Sequence, residues 1–129
     1  MTLDTSALVA ILFSEPGYLD LVDRILEADV ARIGAPTVVE TSLVFAGRRG
    51  RTSVAEVPDL IEELGVTVVA FGEAEWRRAV DAFSRYGRGR HRASLNFGDC
   101  LAYASAATAG DSLLFVGDDF RHTDIHPAG

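Results

Sequence analysis

The chain contains 129 residues, of which 48% are hydrophobic and 24% charged, and this balance excludes a disordered or fibrous protein. Its 12 basic residues are all arginines and 19 residues are acidic, so the formal net charge is −7 and sites that need lysine, such as a P-loop or a Schiff base, are excluded. A single cysteine excludes a disulfide framework, and no apolar run is long enough to span a membrane. With no secretory signal at the N-terminus, we expect one cytoplasmic domain over residues 1–129.

Apolar and β-branched runs alternate with amphipathic segments along the chain. The pattern predicts strands at residues 1–4, 31–35, 66–71 and 113–116. It predicts helices at residues 5–13, 16–28, 36–45, 54–64, 73–85 and 97–109. Thr5 or Ser6 is expected to cap the first helix and Asn96 the last, and the run at 66–71 is typical of a buried strand. This order predicts an α/β fold with a mainly parallel sheet of four to five strands and helices on both faces.

Several common catalytic motifs are absent. The chain has no Gly-x-Gly-x-x-Gly after a strand, no His-Glu-x-x-His and no Gly-x-Ser-x-Gly, which disfavours a nucleotide-cofactor fold, a zinc protease and an α/β hydrolase. We expect Cys100 to be a buried, unreactive thiol. We expect the three histidines to lie at the surface: His91, His122 and His126.

Acidic residues follow the predicted strands at the places where a parallel sheet binds its ligands. In such sheets the ligand crevice lies outside the carboxyl ends of the strands. Four separate regions of the chain are expected to bring acids to this edge: Asp4, Glu40, Asp99 and the adjacent pair Asp118 and Asp119.

Each of these acids also has a structural interpretation. Asp4 and Asp99 could each stabilise a helix N-terminus, and one of the two adjacent aspartates could form a turn. Glu40 is harder to explain, because its valine and leucine neighbours predict a buried helix and a lone buried carboxylate is unfavourable. Clustered carboxylates repel one another unless a cation neutralises them, and an all-oxygen set suits Mg²⁺ or Mn²⁺. Because such ions promote phosphodiester hydrolysis, the acids favour a metal-dependent enzyme that cleaves phosphoryl bonds.

Arginines supply local positive charge in a chain that is acidic overall. Six arginines and one acid fall within residues 77–92, and three more arginines follow the Glu40 helix at positions 48, 49 and 51. Tyr86 and His91 lie among them and are able to stack on unpaired bases. A nucleic-acid-binding loop and a solvated loop both fit this pattern. The candidate RNA-binding residues are Arg85, Arg88, Arg90 and Arg92.

Four segments, in this order, resemble the PIN-domain ribonucleases, and among them the VapC toxins of bacterial type II toxin–antitoxin systems. The segments are LDTSAL at residues 3–8, ET at 40–41, RYGRGRHRASLNFGDC at 85–100 and GDDFRHTDI at 117–125. The resemblance implies a PIN-like α/β fold and an endoribonuclease dependent on Mg²⁺ or Mn²⁺, inhibited by a cognate VapB-like antitoxin and usually homodimeric.

The resemblance also assigns roles to individual residues. Asp4, Glu40 and Asp99 match the family's acids, and Asp118 or Asp119 matches the fourth. The resemblance therefore implies that all five of these acids are catalytic residues. It implies that the metal ligands are Asp4, Glu40, Asp99 and Asp118. Polar residues that help to order the site are implied at two positions, Ser6 and Asn96.

Two other functions remain open at this point. One is a non-catalytic module that binds RNA or a protein and whose binding does not depend on the acids. The presence of all the acids argues against this function. The other is a small-molecule phosphatase, many of which need an aspartate two residues after the nucleophilic one. The residue at that position is Ser6.

Overall fold

Short strands and longer helices alternate in the computed structural model, which describes residues 1–128 apart from the side chain of Thr52. Gly129, the last residue of the expected domain, lies outside the described residues. The strands are β1 (Thr2–Leu3), β2 (Arg32–Gly34), β3 (Thr67–Val69) and β4 (Leu113–Leu114). The α-helices are α1 (Thr5–Leu12), α2 (Tyr18–Glu27), α3 (Ala35–Arg49), α4 (Glu56–Glu63), α5 (Glu73–Tyr86) and α6 (Phe97–Ala109). Two 3₁₀ helices cover Arg51–Ala55 and Asp119–His122.

The four strands form one parallel sheet with the order β3-β2-β1-β4. The chain builds the sheet outward from β1 to β3 and then returns to place β4 on the other side of β1. The strand order therefore reverses between β1 and β4, and ligands of parallel α/β sheets bind beyond the carboxyl ends of the strands at such a point. Asp4, which directly follows β1, lies there. The predicted α/β fold with a mainly parallel sheet is confirmed.

Helices cover both faces of this sheet. Leu113 and Leu114 are consecutive in β4 but belong to different hydrophobic cores, because successive side chains of a strand point to opposite faces. Leu114 shares a core with residues of α1 to α4, among them the fully buried Phe45. Leu113 shares the other with α5 and α6, through Ala82 and Tyr103. The predicted two-faced arrangement is thus confirmed.

Two local predictions are wrong. The N-cap of α1 is Asp4 rather than Thr5 or Ser6, because its side chain accepts a hydrogen bond from the Ser6 backbone N–H. The strand at 66–71 was expected to be buried, but β3 is an edge strand that pairs only with β2, and Val68 is 49% exposed. A β-branched run indicates a strand but not its place in the sheet.

An ion pair ties the sheet together at the end opposite Asp4. Asp111, two residues before β4, accepts hydrogen bonds from Arg32 Nη1 at 2.7 Å and from Thr2 Oγ1 at 2.9 Å. The side chain of Asp111 is only 13% exposed. Burial acts to raise the pKa of Asp111, but the hydrogen bonds from Arg32 and Thr2 outweigh burial and hold the pKa below its usual 3.8. The charged carboxylate therefore links β1, β2 and the start of β4.

We expect Asp111→Asn to lower the free energy of unfolding at pH 7 by about 1–3 kcal/mol, because charged hydrogen-bond partners inside the fold are lost. The pKa of Asp111 is lowered on folding, so its contribution is present above the unfolded pKa of about 3.9 and is lost as pH falls through the folded pKa. The difference between wild type and variant should therefore shrink at pH 3. Urea unfolding followed by circular dichroism at both pH values measures it.

Glu73→Gln is the matched control. Its carboxylate pairs with Arg77 at 2.8 Å, but both side chains are more than 60% exposed. Such surface pairs contribute about 0–1 kcal/mol. An Asp111→Asn variant no less stable than Glu73→Gln would contradict the structural role given to Asp111.

Candidate active site

One cavity at the carboxyl end of the sheet gathers the predicted site residues. It has a volume of about 330 Å³ and lies beside the N-termini of α1 and α6, along α3. Three of the four acids that line it are predicted site residues: Asp4, Glu40 and Asp99. Ser6 and Asn96, the two polar residues expected to order the site, line the same cavity.

Asp4 is the buried centre of this site, with 4% of its surface exposed. Its Oδ2 accepts hydrogen bonds from the Ser6 backbone N–H at 3.0 Å and from Ser6 Oγ at 2.6 Å. Ser6 Oγ also accepts a hydrogen bond from the backbone N–H of Val116, just beyond β4, at 2.9 Å. Burial raises the pKa of Asp4 despite the lowering effect of Ser6, and the negative charge of Glu40 raises it further. Ser6 thus holds Asp4 in place where β1 and β4 end.

Glu40 reaches the cavity from the second turn of α3. Thr5 Oγ1 donates a hydrogen bond to Glu40 Oε1 at 2.5 Å, and Thr41 Oγ1 donates one to Thr5 Oγ1 at 3.2 Å. A Cβ atom at Gly98 of α6 would collide with the Glu40 carboxylate, so this position must be glycine for Glu40 to lie where it does. The contact brings α3 and α6 together beside Asp4.

The helix that carries Glu40 is less buried than predicted. Val39 and Leu43 were expected to lie inside, but they are 58% and 68% exposed. The buried side of α3 is formed instead by Thr37, Thr41 and Phe45, which recur every four residues. Two of these are polar, so the apolar residues beside Glu40 did not show which residues of α3 are buried.

Asp99 lies in the first turn of α6, where Asn96 is the N-cap as predicted. Asn96 Oδ1 accepts a hydrogen bond from the Asp99 backbone N–H at 2.9 Å, and Asp99 Oδ2 accepts one from the Asn96 backbone N–H at 3.0 Å. Burial raises the pKa of Asp99 to about 6, helped by the negative charges of Asp4, Asp119 and Glu40 and opposed by the Asn96 N–H. The charges of Asp4, Glu40 and Asp119 therefore all affect the pKa of Asp99.

The two candidates for the fourth acid lie in different surroundings. Asp119 begins the 3₁₀ helix after β4 and is close enough to Asp99 to raise its pKa. Asp118 is 87% exposed and points to Arg121, whose Nε lies 3.5 Å from its Oδ1. Neither residue lines the acidic cavity. Of the two, Asp119 is the one that interacts with the other acids.

The acids suit a divalent cation by their chemistry. Among residues 1–128, no three acidic, histidine or cysteine side chains converge closely enough to ligate one ion, and each of the three carboxylates accepts a hydrogen bond from its own donor. They nevertheless share one cavity, and carboxylate oxygens are the ligands that Mg²⁺ and Mn²⁺ prefer. Burial is the main cause of the raised pKa values of Asp4 and Asp99, and neighbouring carboxylates raise them further, so a bound divalent cation would stabilise the charged forms. The residues therefore fit such an ion.

The four arginines of the basic loop differ in their contacts. Arg85 donates to Asp124 Oδ2 at 3.2 Å and to the Tyr86 hydroxyl at 2.8 Å. Arg90 lies over the Phe83 ring, 5.6 Å from its centroid. Arg88 and Arg92 are exposed and form no ion pair within the described part of the chain. These last two are the arginines available to a ligand.

The rings of the basic loop are engaged with each other. Tyr86 and His91 meet edge to face, with centroids 5.2 Å apart. His91 Nδ1 also accepts a hydrogen bond from the Ala93 backbone N–H at 3.0 Å, so His91 is half-buried rather than a surface residue. His122 and His126 are exposed, as predicted.

Cys100 is buried, and this prediction is confirmed. Burial raises the pKa of its thiol to about 11, and the negative charge of Asp99 raises it further. A thiol with such a pKa is protonated and unreactive at neutral pH.

Thr5, Gly98 and Glu15 are among the residues of the cavity region that were not predicted from sequence, whereas Arg48 was expected only as one of three arginines that follow Glu40. Thr5 was predicted to cap the first helix. Its hydrogen bond with Glu40 could not be predicted, because the two residues are far apart in the sequence. The glycine in the first turn of a well-capped helix is a usable signal for Gly98, since glycine disfavours helices unless a close approach requires it.

Comparison with known proteins indicates the family of this chain. The sequence pattern of the PIN domain family matches residues 1–125. "Ribonuclease VapC42" of Mycobacterium tuberculosis is 42% identical over 130 residues, covering 99% of this chain and 98% of that protein. "Ribonuclease VapC" of Mycolicibacterium smegmatis is 40% identical over 125 residues, covering 97% of each.

Two solved structures share the fold at low sequence identity. The Mycobacterium tuberculosis VapC20 toxin, described as cleaving the sarcin-ricin loop, superposes with a TM-score of 0.76 at 15% identity and covers 96% of this chain and 95% of its own. VapBC2 of Rickettsia felis, solved with a promoter DNA fragment, gives a TM-score of 0.74 at 12% identity and covers 98% and 95%. With a match across nearly its whole length and relatives above 40% identity, the chain belongs to the PIN-domain family and, within it, to the VapC group.

Proposed function

We propose that this protein is a metal-dependent endoribonuclease toxin that hydrolyses RNA phosphodiester bonds and is inhibited by a cognate VapB-like antitoxin. The observation that carries the proposal is the cavity that Asp4, Glu40 and Asp99 line at the point where the strand order reverses. The VapC relatives, which are named as ribonucleases, support the reaction.

Asp4, Glu40 and Asp99, with Asp119 beside them, would hold Mg²⁺ or Mn²⁺. When bound, such a cation polarises the phosphodiester and stabilises the negative charge that develops during hydrolysis. Ser6 fixes Asp4, and Asn96 fixes Asp99, so two of the carboxylates stay at the cavity when no substrate is bound.

RNA would approach the acids across the basic loop. Arg88 and Arg92 contact its phosphates, since both are exposed and form no ion pair in the described chain. Arg85 and Arg90 support the loop through their contacts with Asp124 and Phe83.

The protein acts in the cytoplasm, where RNA and a VapB-like partner are both present. No helix within residues 1–128 combines the length and the apolar character needed to cross a bilayer.

A homodimer is part of the same proposal. An apolar groove of about 310 Å³ between α5 and α6 carries no charged residue in its lining. Its rim includes Val80 and Phe97, which are 60% and 79% exposed. Because two copies with a net charge of −7 repel each other, they associate best through an uncharged apolar face such as this one.

We expect Asp99→Asn to reduce RNA cleavage by roughly a hundredfold or more, since even residues that only support metal ligands affect activity 10- to 100-fold. The fold should survive, because asparagine still accepts the hydrogen bond from the Asn96 N–H. The raised pKa of Asp99 means that its charge disfavours folding at pH 7, so the variant should unfold at an equal or higher temperature in chelator. Cleavage of total RNA and thermal unfolding, each with Mn²⁺ and with chelator, measure these effects.

Mn²⁺ should raise the unfolding temperature of wild type but not of Asp99→Asn. RNA binding that ignores both Asp99→Asn and chelator, with no cleavage by wild type, would contradict the proposal and favour the non-catalytic module. Efficient hydrolysis of a simple aryl phosphate monoester would favour the phosphatase.

The fourth acid is identified by a matched pair of variants. We expect Asp119→Asn to lower cleavage, because Asp119 interacts with Asp99, and Asp118→Asn to leave it unchanged, because Asp118 faces Arg121. Initial rates at saturating Mn²⁺ compare the two. The opposite order would assign the role to Asp118.

We expect Val80→Asp to convert the dimer to a monomer, because it places a charge in the apolar groove between α5 and α6. Light scattering coupled to size-exclusion chromatography measures the mass. Val68→Asp is the control, since Val68 is similarly exposed, at 49%, but lies on the edge strand β3 outside this groove. Loss of the dimer in Val68→Asp alone would place the interface at the sheet edge.

A further inference from the structure

The acidic cavity extends beyond the acids. Its lining continues through Val9 and Val44 to Glu15 and Arg48. Arg48 lies eight residues after Glu40 on α3, which corresponds to about 12 Å along the helix axis. The cavity is therefore a groove with carboxylates at one end, an apolar middle and a guanidinium at the other end.

Arg48 is weakly held at its end of the groove. Its Nη1 lies 3.8 Å from Glu15 Oε1, and both side chains are largely exposed, at 55% and 42%. Its guanidinium carbon lies 4.9 Å from the centroid of the Phe13 ring. An exposed ion pair of this length contributes little to stability, so Arg48 exchanges Glu15 for another anion at little cost.

The charge of the groove explains what Arg48 is suited to bind. Three carboxylates at one end repel the phosphates of an RNA strand. Arg48 is the one cation that lines the groove among the described residues. Guanidinium binds phosphate through two parallel hydrogen bonds, which fixes the orientation of the strand as well as attracting it.

We infer that Arg48 binds a phosphate of the RNA strand away from the bond that is cleaved, and that Glu15 occupies Arg48 when RNA is absent. The inference rests on the proposed ribonuclease function and adds a substrate-binding residue to it. Arg48 positions the strand along the groove, so that the reacting phosphate lies at Asp4, Glu40 and Asp99. It takes no part in bond cleavage.

The test compares two substrates. Arg48→Met should raise KM for an RNA oligomer by about tenfold and leave kcat unchanged, the loss expected for one charge-assisted phosphate contact. It should have no effect on hydrolysis of bis(p-nitrophenyl) phosphate, which has one phosphodiester and no neighbouring phosphate. The salt dependence of RNA binding should also become shallower by roughly 0.7 in log–log slope.

Arg49→Met is the matched control. Arg49 is adjacent and stacks on the same Phe13 ring, at 5.1 Å, but does not line the groove. It should leave both KM values unchanged. Equal effects of the two arginine variants, or equal effects of Arg48→Met on both substrates, would overturn the inference.

Glu15→Gln tests the competition between Glu15 and RNA. It removes the anion beside Arg48, so KM for the RNA oligomer should fall below that of wild type. An unchanged or higher KM would overturn the role given to Glu15.

Binding in an Asp99→Asn background separates this inference from the proposed function. Fluorescence anisotropy of a labelled RNA oligomer needs no cleavage, and adding Arg48→Met should weaken binding by about tenfold. If wild type cleaves neither substrate, the ribonuclease proposal fails while this measurement still decides the role of Arg48. Unchanged affinity would overturn the inference.

Discussion

Repulsion among carboxylates gathered at one end of the sheet is the constraint on which this structure depends. Asp4 is almost fully buried, which raises its pKa, and the charge of Glu40 raises it further. The charges of Asp4 and Glu40 add in the same way to the effect of burial on the pKa of Asp99. Each carboxylate is separately held by a hydroxyl or backbone N–H, through Ser6, Thr5 or Asn96. These hydrogen bonds keep the acids apart yet beside one cavity. A divalent cation would replace repulsion with shared ligation, which is why the arrangement favours metal-dependent chemistry over a purely structural explanation.

The sequence predicts the parts of this site that are local and misses the parts that depend on distant contacts. Asn96 and Asp99 are three residues apart, so their capping box can be read from the chain. The placement of Asp4 follows from the alternation of strands and helices, since the acid comes directly after a strand. The contacts around Glu40 are different, because Thr5 lies 35 residues away and Gly98 still farther. The apolar neighbours of Glu40 predicted a more buried helix than α3 is, because threonines form much of its buried side while Val39 and Leu43 are exposed.

Acidic and basic residues are separated both within the groove and along the whole chain. A net charge of −7 disfavours RNA, but the basic loop concentrates arginines in one segment, and Arg48 lines the same cavity as the acids. The sequence shows this clustering for the loop, where arginines alternate with glycines. It also shows Arg48 as one of three arginines that follow Glu40, but only the fold shows that Glu15 and Arg48 line the cavity that holds Asp4. An arginine two helical turns beyond a catalytic acid is thus informative only when the fold is known.

A buried aspartate lies at each end of the sheet, and the two have pKa values that are shifted in opposite directions. The contrast distinguishes a residue that stabilises the fold from one that serves a function. At one end Asp111 is matched with Arg32 and Thr2, and its pKa is lowered. At the other end Asp4 is more deeply buried but has no arginine partner, and its pKa is raised. Selection for stability alone would give Asp4 a cation or replace it, as a buried unpaired charge is costly. Asp4 instead lines a cavity with two more acids, at the point where the strand order reverses. Its charge is therefore better explained by a ligand that binds in this cavity.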